Sequence, residues 1–140
     1  MDNPEGKKVM VFGVFDRLHP GHLSFLEQAS KHGNVVAVIT RDDVVKALKK
    51  KIIFSSDMIR VLTVEDAPHV SQAVLGDAVL GSYDIVRKHK PDIICLGYDQ
   101  QALADDLRMR MDRGEIDRIG LEVMQPFEPE KYHTSLLFQD

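Results

Sequence analysis

Short apolar runs alternate with amphipathic stretches along nearly the whole chain. Lys7-Lys8-Val9-Met10-Val11-Phe12-Gly13 predicts a short buried strand ending at a glycine. Residues 20–32 place Leu23, Phe25, Leu26 and Ala29 on one face at helical spacing, a period that Gly33 stops. Val35-Val36-Ala37-Val38-Ile39-Thr40 is a continuous apolar run, as a strand covered on both faces requires. A second helix is expected over about 42–50, carrying Val44, Val45, Ala47 and Leu48 and ending in Lys49-Lys50-Lys51. Ser55 or Ser56 can cap a third helix that runs to about Ala67. Gln72–Gly76 then reads as a third strand and residues 82–90 as a helix closed by Pro91. Asp92–Gly97 is a fourth strand, a charged helix spans about 101–113, and Ile119–Met124 is a fifth strand.

Strands that alternate with helices, and are apolar throughout, imply a parallel sheet with helices on both faces. Right-handed crossovers make this a Rossmann-like, doubly wound α/β fold, whose ligands sit beyond the carboxyl ends of the strands. Two polar clusters fall at such ends, residues 13–22 and residues 97–101. No repeat, linker or low-complexity stretch interrupts the pattern, so residues 1–140 are expected to form one domain, with residues 1–6 as a flexible start and a final helix no longer than a stub.

Composition removes several classes of function. Eighteen basic residues against twenty-two acidic ones give a net charge of -4, without the basic surplus that binding a nucleic-acid backbone needs. Cys95 is the only cysteine, which excludes an internal disulfide and a cysteine-based metal site. No apolar run approaches the ~18 residues of a membrane span, and the polar opening is no signal peptide. A cytoplasmic protein that avoids nucleic acid and membrane is the expectation.

The chemistry concentrates in Gly13-Val14-Phe15-Asp16-Arg17-Leu18-His19-Pro20-Gly21-His22. Pro20 suits the first position of a helix, where a missing N–H costs nothing. His19 then precedes the helix and His22 lies in its first turn, three residues on, so both imidazoles can face one space before the helix N-terminus. Unsatisfied backbone amides and the positive dipole end favour an anion there. Gly21 is expected to let a phosphate approach the backbone, and Gly13 to let the chain turn off the strand. Two titratable donors aimed at an anion site suit phosphoryl or nucleotidyl transfer.

Gly-x-Phe-Asp-x-x-His-x-Gly-His resembles the signature of the cytidylyltransferase-type nucleotidylyltransferases, which join a nucleoside triphosphate to a phosphate-bearing acceptor and release pyrophosphate. The resemblance implies that His19 and His22 are catalytic, touching the triphosphate as its α-phosphorus is attacked. It places Val14, Phe15, Pro20 and Gly21 against ATP as well. Val14 stands where the usual motif has threonine, so only its backbone amide is left to make that contact. Lys90-Pro91-Asp92-Ile93-Ile94-Cys95-Leu96-Gly97-Tyr98-Asp99-Gln100 is similar to the fourth-strand segment of archaeal-type FAD synthetases. Thr40-Arg41-Asp42-Asp43, with Lys46, Lys49 and Arg60, is similar to their second-strand and third-helix region. This similarity implies that Asp99 and Phe127 contact the nucleotide and that Lys46, Lys49, Arg60, Thr134 and Ser135 reach phosphates. It implies a reaction of ATP with FMN to give FAD, with a divalent cation, Mg²⁺, on the ATP phosphates and no dedicated protein metal site. A homodimer is among the states that the resemblance allows.

Each of these residues also has a plainer role open to it. Asp16 can orient an imidazole or the loop, or simply form a turn; Asp99 can cap a helix. Lys46 and Lys49 can be a solvated helix end, and Arg60 a surface charge. Phe15, Phe54, Tyr98, Phe127 and Tyr132 can stack on adenine or flavin rings, or belong to core or surface. Cys95 reads as core, His32, His69 and His89 as surface, and Asp105, Asp106, Arg108, Arg110 and Arg113 as a solvated helix face. Between Gln125 and Ser135 the arginine-bearing segment of the cytidylyltransferases is missing. A glycerol-3-phosphate cytidylyltransferase, a heptose-phosphate adenylyltransferase and a non-catalytic nucleotide-binding protein are the alternatives.

Overall fold

The computed structural model describes residues 6–49 and 53–126, apart from the side chains of Leu48 and Lys49. The polar start up to Glu5, Phe127, Tyr132, Thr134, Ser135 and any terminal stub helix lie outside the described residues. Ten elements follow one another as β1 (Lys8–Gly13), α1 (Pro20–Ser30), β2 (Asn34–Ile39), α2 (Asp42–Lys49), α3 (Asp57–Glu65), β3 (Gln72–Leu75), α4 (Asp84–His89), β4 (Ile93–Leu96), α5 (Gln101–Asp112) and β5 (Gly120–Val123). Every strand of the sheet is parallel to its neighbours, in the order β3-β2-β1-β4-β5.

Alternation along the strands sorts the core into two layers, because successive side chains leave opposite faces. Val9, Val11, Val35, Ala37 and Ile39 meet Leu26 and Ala29 of α1 and Val61 and Val64 of α3. Met10, Val36, Val38, Ile94 and Leu96 meet Val86 of α4 and Ala104, Leu107 and Met111 of α5 on the other side. Cys95 is fully buried in the first layer, and that burial, with Glu122 nearby, pushes its thiol up to about 12. β5 is an edge strand, so Glu122 and Val123 are exposed although its sequence reads as interior.

Strand order reverses between β1 and β4, the switch point at which a doubly wound sheet opens toward its ligand. The register shows the opening directly. β1 pairs with β2 from Lys8↔Asn34 to Gly13↔Ile39, but with β4 only at Val9↔Ile93 and Met10↔Ile94. Beyond Met10 the two central strands part.

Two expectations are corrected. α1 buries Leu26 and Ala29 and packs Phe25 against the same core as expected, but Leu23 is left 38% exposed and His22 takes its place on the buried face. The charged face of α5 is also divided. Asp105 and Arg108 form an exposed pair, whereas Asp106 accepts a 2.6 Å hydrogen bond from the buried Tyr83 hydroxyl and Arg110 lies over that ring.

Candidate active site

The chain leaves β1 through a strained loop. Phe15 and Arg17 both adopt left-handed backbone conformations, with φ of 53° and 60°, which side-chain-bearing residues rarely occupy and which cost about 1–3 kcal/mol each. Burial of the Phe15 ring, 3% exposed and packed against His22 at 5.4 Å between centroids, offsets part of that cost. Of the roles left open for Phe15, stacking on a ligand ring or a place in the core, the structure shows the core. Gly13 is needed for the same reason and not for a turn, because a Cβ there would stand 2.7 Å from the Phe15 ring.

His19 caps α1 with its own ring. Its Nδ1 accepts from the amides of Gly21 (3.0 Å) and His22 (3.3 Å), while His22 Nδ1 accepts from the His19 amide at 3.2 Å. This is the reciprocal logic of a capping box, built from two histidines in place of the usual serine and glutamate. An imidazole nitrogen that accepts from an amide carries no proton, so Nδ1 of each ring serves here as an acceptor. The expected set of free first-turn amides is thereby corrected. Pro20 has none, those of Gly21 and His22 are spent on His19 Nδ1, and that of Leu23 is spent on the His19 carbonyl. The first turn of α1 is thus closed by the two imidazoles, and His22 is itself buried. Gly21 makes room for the cap: a Cβ there would lie 2.9 Å from His19 Cε1.

Long-range bonds hold this loop. The Asp16 carboxylate accepts from the amides of Phe54 (2.7 Å) and Ser55 (3.1 Å), which settles its role as a clasp between the loop and the entry to α3. Arg60, expected on a phosphate or at the surface, is at neither. It is 1% exposed, and it donates from Nη1 to the Val14 carbonyl (2.8 Å), from Nε to the Ser55 carbonyl (3.1 Å) and from Nη2 to Asp42 (2.6 Å). One guanidinium thus ties the motif loop to α2 and α3, a task suited to its fixed fork of donors. Asp42, whose own amide donates to Asp57, entered the sequence analysis only within the Thr40–Asp43 segment and was given no role; it looks like any acidic residue in a first helical turn.

At the other lip, Gln100 was likewise passed over except as part of the Gly-Tyr-Asp-Gln turn. Its side chain donates to the Phe12 carbonyl (2.9 Å) and accepts from the Gly97 amide (2.8 Å), spanning the gap between β1 and β4. Gln100 is also the residue that precedes α5, so Asp99 is not the helix cap. The Asp99 carboxylate lies over Gly97, where a Cβ would come within 3.0 Å of it, and together with Tyr98 it is exposed at the mouth of the crevice. Lys46 is exposed on α2. The structure therefore brings Val14, Phe15, His19, Pro20, Gly21 and His22 into one loop and helix start, sets Asp99 at the neighbouring strand end, and removes Arg60. Among the described residues no three or more His, Cys, Asp or Glu side chains gather to hold a metal ion, and no helix is long and apolar enough to cross a membrane.

A paired-histidine helix start at the switch point of a parallel sheet is the arrangement of a nucleotidyltransferase, and the comparisons agree. The cytidylyltransferase-like family model matches residues 10–137, and the chain belongs to that family. Its relatives include the FAD synthase of Aciduliprofundum boonei, 48% identical over 67% of this chain and 62% of that protein. The FAD synthase of Ferroglobus placidus is 41% identical over 81% of this chain and 76% of its own length, and that of Methanopyrus kandleri 38% identical over 80% and 76%. A solved structure of a lipopolysaccharide core biosynthesis protein from Thermoplasma volcanium superimposes with a TM-score of 0.78 at 30% identity, covering 87% of this chain and 98% of that one.

Proposed function

We propose that this chain is an FAD synthase, transferring the adenylyl group of MgATP to FMN and releasing pyrophosphate. The observation that carries the reading is the set of FAD synthases 38–48% identical to it over most of its length. In the step itself, an oxygen of the FMN phosphate attacks the α-phosphorus. The bond from that phosphorus to the α–β bridging oxygen breaks, and pyrophosphate leaves with the electron pair. FMN is already an anion at neutral pH, so no strong base is required. Catalysis consists of alignment and of donors aimed at the charge that develops.

His19 and His22 are the natural donors, because the helix start fixes both rings side by side at the switch point. The backbone of Val14 and Phe15, with Pro20 and Gly21, lines the nucleotide site, and Asp99 takes the ribose or adenine. Lys46, Lys49, Thr134 and Ser135 serve the phosphates and Phe127 stacks on adenine. The divalent cation arrives with the triphosphate as part of the substrate. On this reading the reaction takes place in the cytoplasm.

The Thermoplasma neighbour, a lipopolysaccharide core biosynthesis protein 30% identical to this chain, keeps a second reading beside it, transfer to a smaller phosphate-bearing acceptor. One panel separates them. ATP and CTP are each offered with FMN, glycerol 3-phosphate and a sugar phosphate, and pyrophosphate and FAD are measured. FAD formed from ATP and FMN, with little turnover of the small acceptors, is the expected result. CDP-glycerol or an ADP-sugar formed without FAD would replace the proposal.

A further inference from the structure

We propose that Phe54 is the platform on which the flat ring system of the acceptor stacks, an inference that rests on FMN being that acceptor. Phe54 precedes α3 and is 64% exposed, yet it is held firmly. Its amide donates to Asp16 at 2.7 Å, the next amide donates to the same carboxylate, and the Ser55 carbonyl is gripped by buried Arg60. The Arg17 guanidinium lies over one face of the ring, 3.9 Å from its centroid. The backbone bonds to Asp16 would be served by any residue with an N–H, so they do not account for the large apolar ring. A phenyl ring presented to water costs hydration free energy, and a fixed one gains most by stacking on another flat ring.

The other aromatics that could serve are accounted for among the described residues. Phe15 is core, and Tyr98 stands beside Asp99 at the β4 lip, on the nucleotide side. Phe54 instead is tethered to the motif loop itself, through Asp16 and Arg17, three and two residues before His19. FMN matches that geometry in chemistry. Its phosphate must reach the histidines while its ribityl chain sets the isoalloxazine ring to one side. Arg17 backs the platform and adds a positive charge on the path of an anionic substrate. A small acceptor has nothing to place there, so Phe54 selects for a flat one.

The test is steady-state kinetics on the full chain with MgATP and FMN, for the wild type, Phe54→Ala and Phe54→Trp. Loss of one stacking face should raise the KM for FMN by about tenfold in Phe54→Ala, leaving the KM for ATP and the melting temperature unchanged. Phe54→Trp should keep the wild-type KM and quench flavin fluorescence on binding; this arm stands even should the alanine variant fail to fold. An unchanged KM for FMN in Phe54→Ala, an equal rise for ATP, or no quenching by Phe54→Trp overturns the platform while leaving the FAD synthase reading intact. A wild-type chain that forms no FAD at all overturns both.

Discussion

His19 and His22 lie face to face, ring centroids 3.7 Å apart and planes within 20°, each ring bonded through Nδ1 to the main chain of the other residue. On the proposed function one ring has a capping duty and a chemical one, and substitution can separate them. His19→Ala should lose both the cap, about 1 kcal/mol of stability, and a phosphate donor worth about 10²–10³-fold in kcat. His19→Asn restores a good cap without a group that reaches as far as Nε2. It should melt near the wild type and remain as slow as the alanine variant. Urea unfolding and pyrophosphate release, measured together, decide this; an asparagine variant with full turnover would contradict the donor role.

Gly21→Ala gives an unusual combination. Alanine inside a helix is ordinarily preferred over glycine by about 1 kcal/mol. Here the new methyl displaces the His19 ring that a Cβ would crowd at 2.9 Å. The variant should fold as well as the wild type while kcat falls by tenfold or more, roughly what a small misplacement of a catalytic group costs.

Arg60→Ala should be among the most destabilising single substitutions. It leaves the Val14 and Ser55 carbonyls without their donor and Asp42 without its cation. Removing one member of a buried pair costs about 3–5 kcal/mol, and because Asp42 is 35% exposed the lower end applies. Arg60→Lys should recover only part of this, since one ammonium cannot serve three acceptors spread over a planar fork. Chemical denaturation of the three proteins checks the order.

Asp99→Ala is expected to raise the KM for ATP with little change in kcat or melting temperature, the mark of a contact made equally in ground and transition states. Gln100→Ala, one residue on, should instead lower the melting temperature, because it orphans the Phe12 carbonyl and the Gly97 amide. Kinetics and melting curves that exchanged between the two variants would reverse the assignments.

Stability should fall in alkali. Burial holds the Cys95 thiol up at about 12, and burial followed by the Asp106 hydrogen bond raises Tyr83 further. Both groups stay protonated in the native protein when the unfolded chain has begun to release its protons, so the unfolded state binds fewer. For Cys95 the loss starts at about pH 9 and runs at about 1.4 kcal/mol per pH unit until its native pKa is reached. On the acid side His89 is lowered by partial burial and by Lys8 and Lys88, so the unfolded state takes up its proton first and stability declines below about pH 6.5. Urea midpoints across this range test both limbs, and Cys95→Ala should flatten the alkaline one.

The parts legible in the sequence are those written in local periodicity. The continuous apolar runs at Val9–Phe12 and Val35–Ile39 mark doubly covered strands, and His19-Pro20-Gly21-His22 marks a helix start, because both patterns express contacts between near neighbours. Arg60, Asp16 and Gln100 act across 46, 39 and 88 residues of chain, and no spacing rule reports such partners. Arg60 was legible as a residue of interest only through resemblance, which gave it the wrong role. The order β3-β2-β1-β4-β5 itself follows from right-handed crossovers and needs no residue-level signal.

Gln100 has a wider meaning. Where the β1–β4 ladder ends, its carboxamide takes the place of a peptide unit, offering one N–H and one C=O to strands that no longer reach each other. The slot at the switch point is therefore propped at a set gauge, one side-chain amide wide, before any nucleotide arrives. An incoming ligand spends no binding energy on prising the strands apart, and the gauge can be altered by a single residue without touching the strands. Asparagine would be too short to span it, and glutamate would supply two acceptors where a donor is required. In this chain the spacing of the two strand ends is thus held by Gln100, apart from the histidine pair at the start of α1.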